Sequence, residues 1–263
     1  MFSLGDAYER FMGRWSRELA PLLVQFAGVL DGDAVADIGS GTGALTAAVV
    51  ATAPSSRVFG IDRSEPYVAY TQAHHQGERV RFEVGDAQHL HFVDCSFDRT
   101  LSLLILNFIP DPEKALKEMV RVTRPGGTIA AAVWDYGDGM KMLRVFWDEA
   151  VALNPAADGK DERHMPLSRR GELSELWRRH MLETVSDEAL TIETRFSSFD
   201  DFWSPFLERQ GPAGAYAATL SASDCEQLRL NLRRRLLGEG ADRPIVLGAR
   251  AWAVRGTVPL LRR

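Results

Sequence analysis

Two acidic residues and one glycine cluster carry the chemistry most legible in this chain. Val35-Ala-Asp-Ile38 reads as a short buried strand that runs into Gly39-Ser-Gly-Thr-Gly43, and a helix follows from Ala44 to about residue 53. Gly39 and Gly41 let the backbone turn sharply and approach a ligand with no Cβ in the way. The turn has more than one reading. Gly39 to Ala44 also spells the G-x-G-x-x-A of a dinucleotide fold, and a tight strand–helix turn needs no ligand at all. Asp62 closes the second strand, about twenty residues beyond the glycines. A carboxylate there accepts hydrogen bonds from both ribose hydroxyls of any adenosine cofactor, or it caps the helix that opens near Ser64. Asp86, in Gly85-Asp-Ala87 after the third strand, separates the cofactors. On that edge it can accept from an adenine amino group, a contact for which a dinucleotide enzyme has no comparable need. The plain alternative is a turn aspartate bonded to its own backbone.

The elements that must position these residues alternate. Strands are expected at 35–38, 57–61, 80–84, 98–103 and 128–134, separated by helices after Gly43, after Ser64 and from Asp111-Pro112 to about Arg121, with a turn at Arg124-Pro-Gly-Gly127. Such alternation implies an α/β fold with a doubly wound parallel sheet, whose loops after the strand C-termini share one edge. Beyond Tyr136 the rhythm changes. Residues 139–153 and 171–181 read as helices, with a polar loop at 154–166 between them. Residues 188–195 and 245–255 read as strands, and Ser198/Asp201 and Ser223/Glu226 as two helix-opening capping boxes.

Bulk properties bound the function. The 263 residues are 45% hydrophobic and 25% charged, an ordinary globular composition, with a formal net charge of −5. That charge argues against nonspecific nucleic-acid binding, which needs basic surface. Cys95 and Cys225 have no metal-ligand spacing and read as inert thiols in a reducing compartment; no metal site is expected. No apolar run is long enough for membrane insertion, and the N-terminus lacks the pattern of a secretory signal, so a cytoplasmic protein is expected.

Taken together, the motifs resemble the class I S-adenosylmethionine (SAM) dependent methyltransferases, more narrowly the UbiE/type 11 group. Asp37-x-Gly39-x-Gly41-x-Gly43 is similar to the family's first motif. Leu106-Asn-Phe-Ile-Pro-Asp111 is similar to a family stretch in which two histidines stand where this chain has Asn107 and Phe108. Leu116-x-Glu-x-x-Arg121-Val-x-Arg-Pro-Gly-Gly127 matches the helix and turn before the fifth strand. The resemblance implies a Rossmann-like seven-stranded sheet with a reversed last strand, with SAM as cofactor and S-adenosylhomocysteine as product. It implies a cofactor site formed by Asp37, Gly39, Ser40, Gly41, Gly43, Asp62, Arg63, Gly85, Asp86, Ala87 and Leu103. It further implies an N-terminal helix over the methionine end, with Tyr8 or Arg14 on the cofactor carboxylate; the other reading is an amphipathic surface helix with Phe11 and Trp15 packed inward. The expected organisation is a helical cover (1–30), a SAM-binding core (31–136), a mainly helical lid including the sixth strand (137–243) and a closing strand (244–263). The departure from the family is the lid: long segments separate the fifth, sixth and seventh strands.

Methyl transfer to a small-molecule acceptor is the leading reading, with an NAD(P)-dependent oxidoreductase and a noncatalytic SAM-binding protein as alternatives. In-line displacement at an activated methyl group depends chiefly on proximity and orientation, so no catalytic residue is assigned. Candidate acceptor contacts are Asn107, Trp134 and Tyr136 at strand ends, and Trp203 and Phe206 from an aromatic stripe that also includes Phe199 and Phe202 at helical spacing. That stripe reads either as the core of the lid or as an apolar wall for the acceptor.

Overall fold

The computed structural model describes residues 4–75 and 77–260. Seven strands form one sheet: β1 (Ala34–Ile38), β2 (Arg57–Asp62), β3 (Val80–Val84), β4 (Phe97–Leu103), β5 (Thr123–Trp134), β6 (Glu183–Phe196) and β7 (Ile245–Thr257). Their order is β3-β2-β1-β4-β5-β7-β6. The pairs among β1 to β5 are parallel, and β7 runs antiparallel to both β5 and β6. This is the expected seven-stranded sheet with a reversed last strand. All five residues of β1 are buried, as a parallel strand covered on both faces requires. Asp37 pairs with Gly60 on one side and Leu101 on the other. The C-terminal ends of β1, β2 and β4 therefore lie side by side, at the point where the strand order reverses. That point is where open α/β sheets bind ligands.

Helices α3 (Ala44–Thr52), α4 (Glu65–His74) and α5 (Pro112–Val122) link the parallel strands. Asp111 caps α5 by accepting the Lys114 N–H at 2.9 Å. At the N-terminus, α1 (Leu4–Tyr8) and α2 (Arg14–Ala27) are joined through a π-helical turn, Glu9–Gly13. Such a wide turn often marks a functional site. Along α2, Trp15, Leu19, Leu23 and Ala27 are buried at four-residue spacing, and the helix packs on α3.

The region after β5 departs from the sequence reading in detail. Helix α6 (Lys141–Leu153) is present, but the expected loop at 154–166 contains two 3-10 turns, Pro155–Lys160 and Glu162–His164. Helix α7 (Glu172–Arg179) follows. Strand β6 begins at Glu183 because its first residues extend the pairing with β7 through an irregular step before Ser186. Arg124-Pro-Gly-Gly127 is drawn into β5, where it absorbs a register shift against β4. Helices α8 (Phe199–Trp203), α9 (Gly211–Ala217) and α10 (Ala222–Leu237) complete the region. Ser198 caps α8 as expected, its hydroxyl accepting the Asp201 N–H. The cap of α10 is Ser221, which accepts from Asp224, rather than Ser223. Both positions offer a serine followed by an acid three residues on, so spacing alone does not choose between them. Among the described residues no helix is long and apolar enough to cross a membrane.

A buried ion pair pins the short turns after α6. Asp161 is 0% and Arg144 7% side-chain exposed, and their charged groups are hydrogen-bonded at two points. Burial alone would raise the Asp161 pKa. The bonds from Arg144 and from the Arg163 backbone and side chain outweigh it and hold the group below its ordinary value. Breaking such a pair strands a charge in the interior. Asp161→Ala is expected to cost about 3–5 kcal/mol in urea unfolding; a loss within the error of the measurement would show that the pair is not structural.

Candidate active site

The site starts at the turn after β1. Gly39 has φ +75° and Gly41 φ +52°, left-handed values that disfavour side chains. A Cβ on Gly39 would collide with Ile105, whereas the space beside Gly41 is open. The turn is held from β2: the N–H groups of Gly39 and Ser40 both donate to the Ile61 carbonyl. Asp62 then fixes the top of the loop. One carboxylate oxygen accepts the Gly41 N–H at 2.9 Å and the other accepts the Ser64 N–H at 2.8 Å. Burial raises the Asp62 pKa despite these two bonds. Each oxygen still has a lone pair for a further donor.

Asp37 is fully buried beneath this loop. Its Oδ2 accepts the Thr46 hydroxyl at 2.7 Å, and its Oδ1 has no partner. Burial pushes its pKa up to about 7; the Thr46 bonds pull it down and nearby Asp62 adds to the rise. The Ser40 and Thr42 hydroxyls, the Trp134 indole N–H and both polar atoms of the Asn107 amide are likewise buried without partners. Unpaired buried groups are costly, so their concentration here marks a place where a polar ligand belongs.

Two cavities meet at this point, sharing Gly39, Asp62, Tyr67, Ile105 and Phe108. The larger, about 310 Å³, is lined by Asp37, Ser40, Gly41 and Leu103 from the core and by Tyr8, Phe11 and Met12 from the N-terminal helix. Trp134, Tyr136, Glu162, Gln210 and Pro212 close its far side. The smaller, about 240 Å³, is lined by Arg63, Gly85, Asp86, Ala87 and Gln88. Asp86 is exposed there and makes the turn bond of the plain reading, its Oδ1 accepting the Gln88 N–H at 2.9 Å. That bond lowers its pKa and keeps it ionised. The Gln88 side-chain amide also reaches its two oxygens, at 3.2 and 3.3 Å, and His89 lies 3.7 Å from Oδ2.

Several sequence-flagged residues fall elsewhere. Arg14 does not line either cavity: it donates to Asp201 at 2.7 Å and stacks over Trp15 and Phe196. Its guanidinium is thus committed to tying the N-terminal helix to α8, and of the two candidates only Tyr8 reaches the cavity. The Tyr8 hydroxyl bonds to Ser16 at 3.2 Å and its ring packs against Tyr67. Gly43 turns the chain toward α3, where a Cβ would strike His75. Trp203 and Phe206 are buried but line neither cavity; Phe206 stacks on Phe146 with centroids 4.5 Å apart and meets Phe11 edge-on. The stripe is therefore the packed interior of the lid, and Phe11 stands between it and the cavity. Asn107 is buried and lines neither cavity, whereas Tyr136 lines the larger one; burial, with nearby Glu162 adding to it, drives the Tyr136 pKa well above its ordinary value. Sequence reasoning missed Glu162, Gln210, Tyr67 and Gln88. The first two lie in segments whose path over the sheet edge has no sequence signature.

The strand order with a single reversed strand is that of the Rossmann-like methyltransferase fold, and the two cavities lie at its strand ends. Residues 36–131 match the family described as a methyltransferase domain. The chain is similar to an uncharacterized protein of Mycobacterium tuberculosis, 34% identical over 51% of this chain and 48% of that one. It is 38% identical to the ubiquinone/menaquinone biosynthesis C-methyltransferase UbiE of Bdellovibrio bacteriovorus, over 41% of this chain and 46% of that one. It thus spans about half the length of these curated relatives. A Haemonchus contortus phosphoethanolamine N-methyltransferase, solved with S-adenosylhomocysteine, superposes with a TM-score of 0.59 at 21% identity, over 97% of this chain and 57% of that one. Over residues 36–131 the core of this chain is thus similar to methyltransferase domains, that of UbiE among them.

The buried Asp37 has a testable signature. Its folded-state pKa, about 7, lies above its ordinary 3.8. The folded protein therefore holds this proton more tightly than the unfolded chain, and the associated stability is present at low pH and lost as pH rises through 7. The unfolding free energy of the wild type minus that of Asp37→Asn should fall between about pH 4 and about pH 7. A difference that stays flat across this interval would contradict the assignment.

Proposed function

We propose that this chain transfers a methyl group from SAM to a small-molecule acceptor and releases S-adenosylhomocysteine. The observation that carries the reading is the pair of cavities joined across Asp62, with unpartnered buried polar groups on the larger one. The residues present fit the cofactor. Asp62 has capacity left for ribose hydroxyls, and Asp86 with Ala87 offers an acceptor and an apolar face for adenine. The free oxygen of Asp37 suits the α-ammonium group, while Ser40, Thr42 and Tyr8 supply hydroxyls around it. When bound, SAM supplies a methyl group activated by a positively charged sulfur.

The chain's own task is to hold donor and acceptor in line and to exclude water, which contributes much of the rate enhancement of such displacements. The N-terminal helix and the turns after α6 close over the larger cavity for that purpose. The proposed division of labour keeps residues 1–30 as cover, 31–136 and 244–263 as core, and 137–243 as lid. A cavity of about 310 Å³ suits a small molecule rather than a polymer. The net charge of −5 points the same way, as does the similarity to UbiE. Space reaching beyond the glycine turn to Glu162, Gln210 and Pro212 favours an acceptor site over a pure binding module.

Titration calorimetry tests this reading. S-adenosylhomocysteine is expected to bind and NADH to give no signal. Asp62→Ala should weaken binding by about 1–3 kcal/mol through lost hydrogen bonds, and Arg14→Met should leave affinity unchanged while lowering the melting temperature. Tight NADH binding without S-adenosylhomocysteine binding would overturn the proposal.

A further inference from the structure

Glu162 is the buried acid that the cofactor reading leaves unused. It sits in the short turn after α6, is 4% exposed, and lines the larger cavity. One carboxylate oxygen accepts the Trp147 indole N–H at 2.6 Å. Among the described residues no hydrogen bond reaches the other oxygen of this cavity-lining residue. The turn itself is anchored by the Arg144–Asp161 pair, so Glu162 is held rigidly rather than draped over a surface. The groups that act on it are Arg144 from α6, Asp161 from its own segment and Tyr136 from the end of β5; Tyr8, from the N-terminal helix, acts in turn on Tyr136. Its neighbours Arg163 and His164 are turned to Asp161, Asp148 and Asp158. Burial raises its pKa to about 7, against the Trp147 bond and Arg144, with Asp161 adding to the rise. A group with that value near neutral pH is suited to accept a proton and return it to solvent.

Resting on the SAM reading, we propose that Glu162 hydrogen-bonds the methyl acceptor and takes its proton, and that the acceptor is a neutral molecule carrying a hydroxyl group on an apolar body. The apolar part of the lining, Phe11, Met12, Leu104, Phe108 and Pro212, explains the body, with Ser16 and Gln210 as polar neighbours. A carboxylate only accepts hydrogen bonds, so its natural partner is a donor. An amine of ordinary pKa would enter as an ammonium beside the positively charged sulfur, and a hydroxyl avoids that repulsion. In the step, the acceptor oxygen forms a bond to the methyl carbon. The carbon–sulfur bond breaks and its electron pair stays on sulfur, which becomes neutral. The hydroxyl proton passes to the Glu162 carboxylate and later to water. Glu162 is thus a catalytic residue, and Trp147 positions it.

The test uses full-length protein saturated with S-adenosylhomocysteine, titrated calorimetrically with 4-methylphenol and with its methyl ether, 4-methylanisole. Wild type should bind the phenol more tightly than the ether. The phenol affinity should rise about tenfold as pH increases through the ionisation of Glu162, with the ether affinity flat. Glu162→Gln should keep its affinity for S-adenosylhomocysteine and lose the pH dependence of phenol binding. Trp147→Phe, a conservative core change, should move the midpoint to higher pH because the carboxylate loses a donor. An absent preference for phenol in the wild type, or an unaltered pH profile in Glu162→Gln, overturns the proposal. Failure of wild type to bind S-adenosylhomocysteine at all would instead refute the underlying reading.

Discussion

The contact on which the rest of the site depends is the grip of the Asp62 carboxylate on two backbone N–H groups, one in the loop after β1 and one opening α4. It turns the ends of two parallel strands into one rigid rim. The Gly39–Gly43 loop cannot collapse onto the sheet, because Gly41 is suspended from the neighbouring strand. Nor can it move outward, because Gly39 and Ser40 are bound to Ile61. The space left beside Gly41 is thus a product of topology: parallel pairing of β1 with β2 places both loops on the same edge, and the reversal of strand order between β1 and β4 leaves that edge open.

Above this rim the protein assembles an apolar cavity containing two buried acids, Asp37 and Glu162, each with a pKa raised by burial. In the proposed reading a cation between them is favoured twice. It recovers the electrostatic energy that the acids lose by leaving water, and it shifts both toward the ionised state. A cofactor with a positively charged sulfur and an ammonium group fits such a cavity, and transfer of the methyl group removes the sulfonium charge. The unpartnered Trp134 N–H is a further polar group on this cavity for which the protein provides no internal partner.

How much of this was legible in the sequence follows from locality. The glycine turn, Asp62 and Gly85-Asp86-Ala87 each sit directly after a strand whose apolar run is readable, so their common edge follows from the α/β alternation. The reversed β7 came through the family resemblance and agrees with the observed pairing. The lid was legible only as helices and strands. Arg14 illustrates the limit: an arginine on a helix over the cavity suits a carboxylate ligand, but Asp201, 187 residues away, is the carboxylate it meets. Trp203 and Phe206 have the spacing of a buried face, and spacing does not say whether that face meets a ligand or, as here, Phe146 and Phe11. Glu162 stands in a polar stretch that reads as a surface loop. The buried Arg144–Asp161 pair and the Trp147 indole draw it inward, and neither contact is visible to local pattern.

The central claim is that the crevice between the glycine turn and Asp62 holds the adenosine cofactor. The most direct measurement is a crystal structure with S-adenosylhomocysteine. The account predicts the ribose hydroxyls on Asp62, the adenine beside Asp86 and Ala87, and the amino acid portion between Asp37 and Tyr8. Adenosine density placed away from Asp62, or an amino acid portion held by Arg14 with Asp201 displaced, would contradict it.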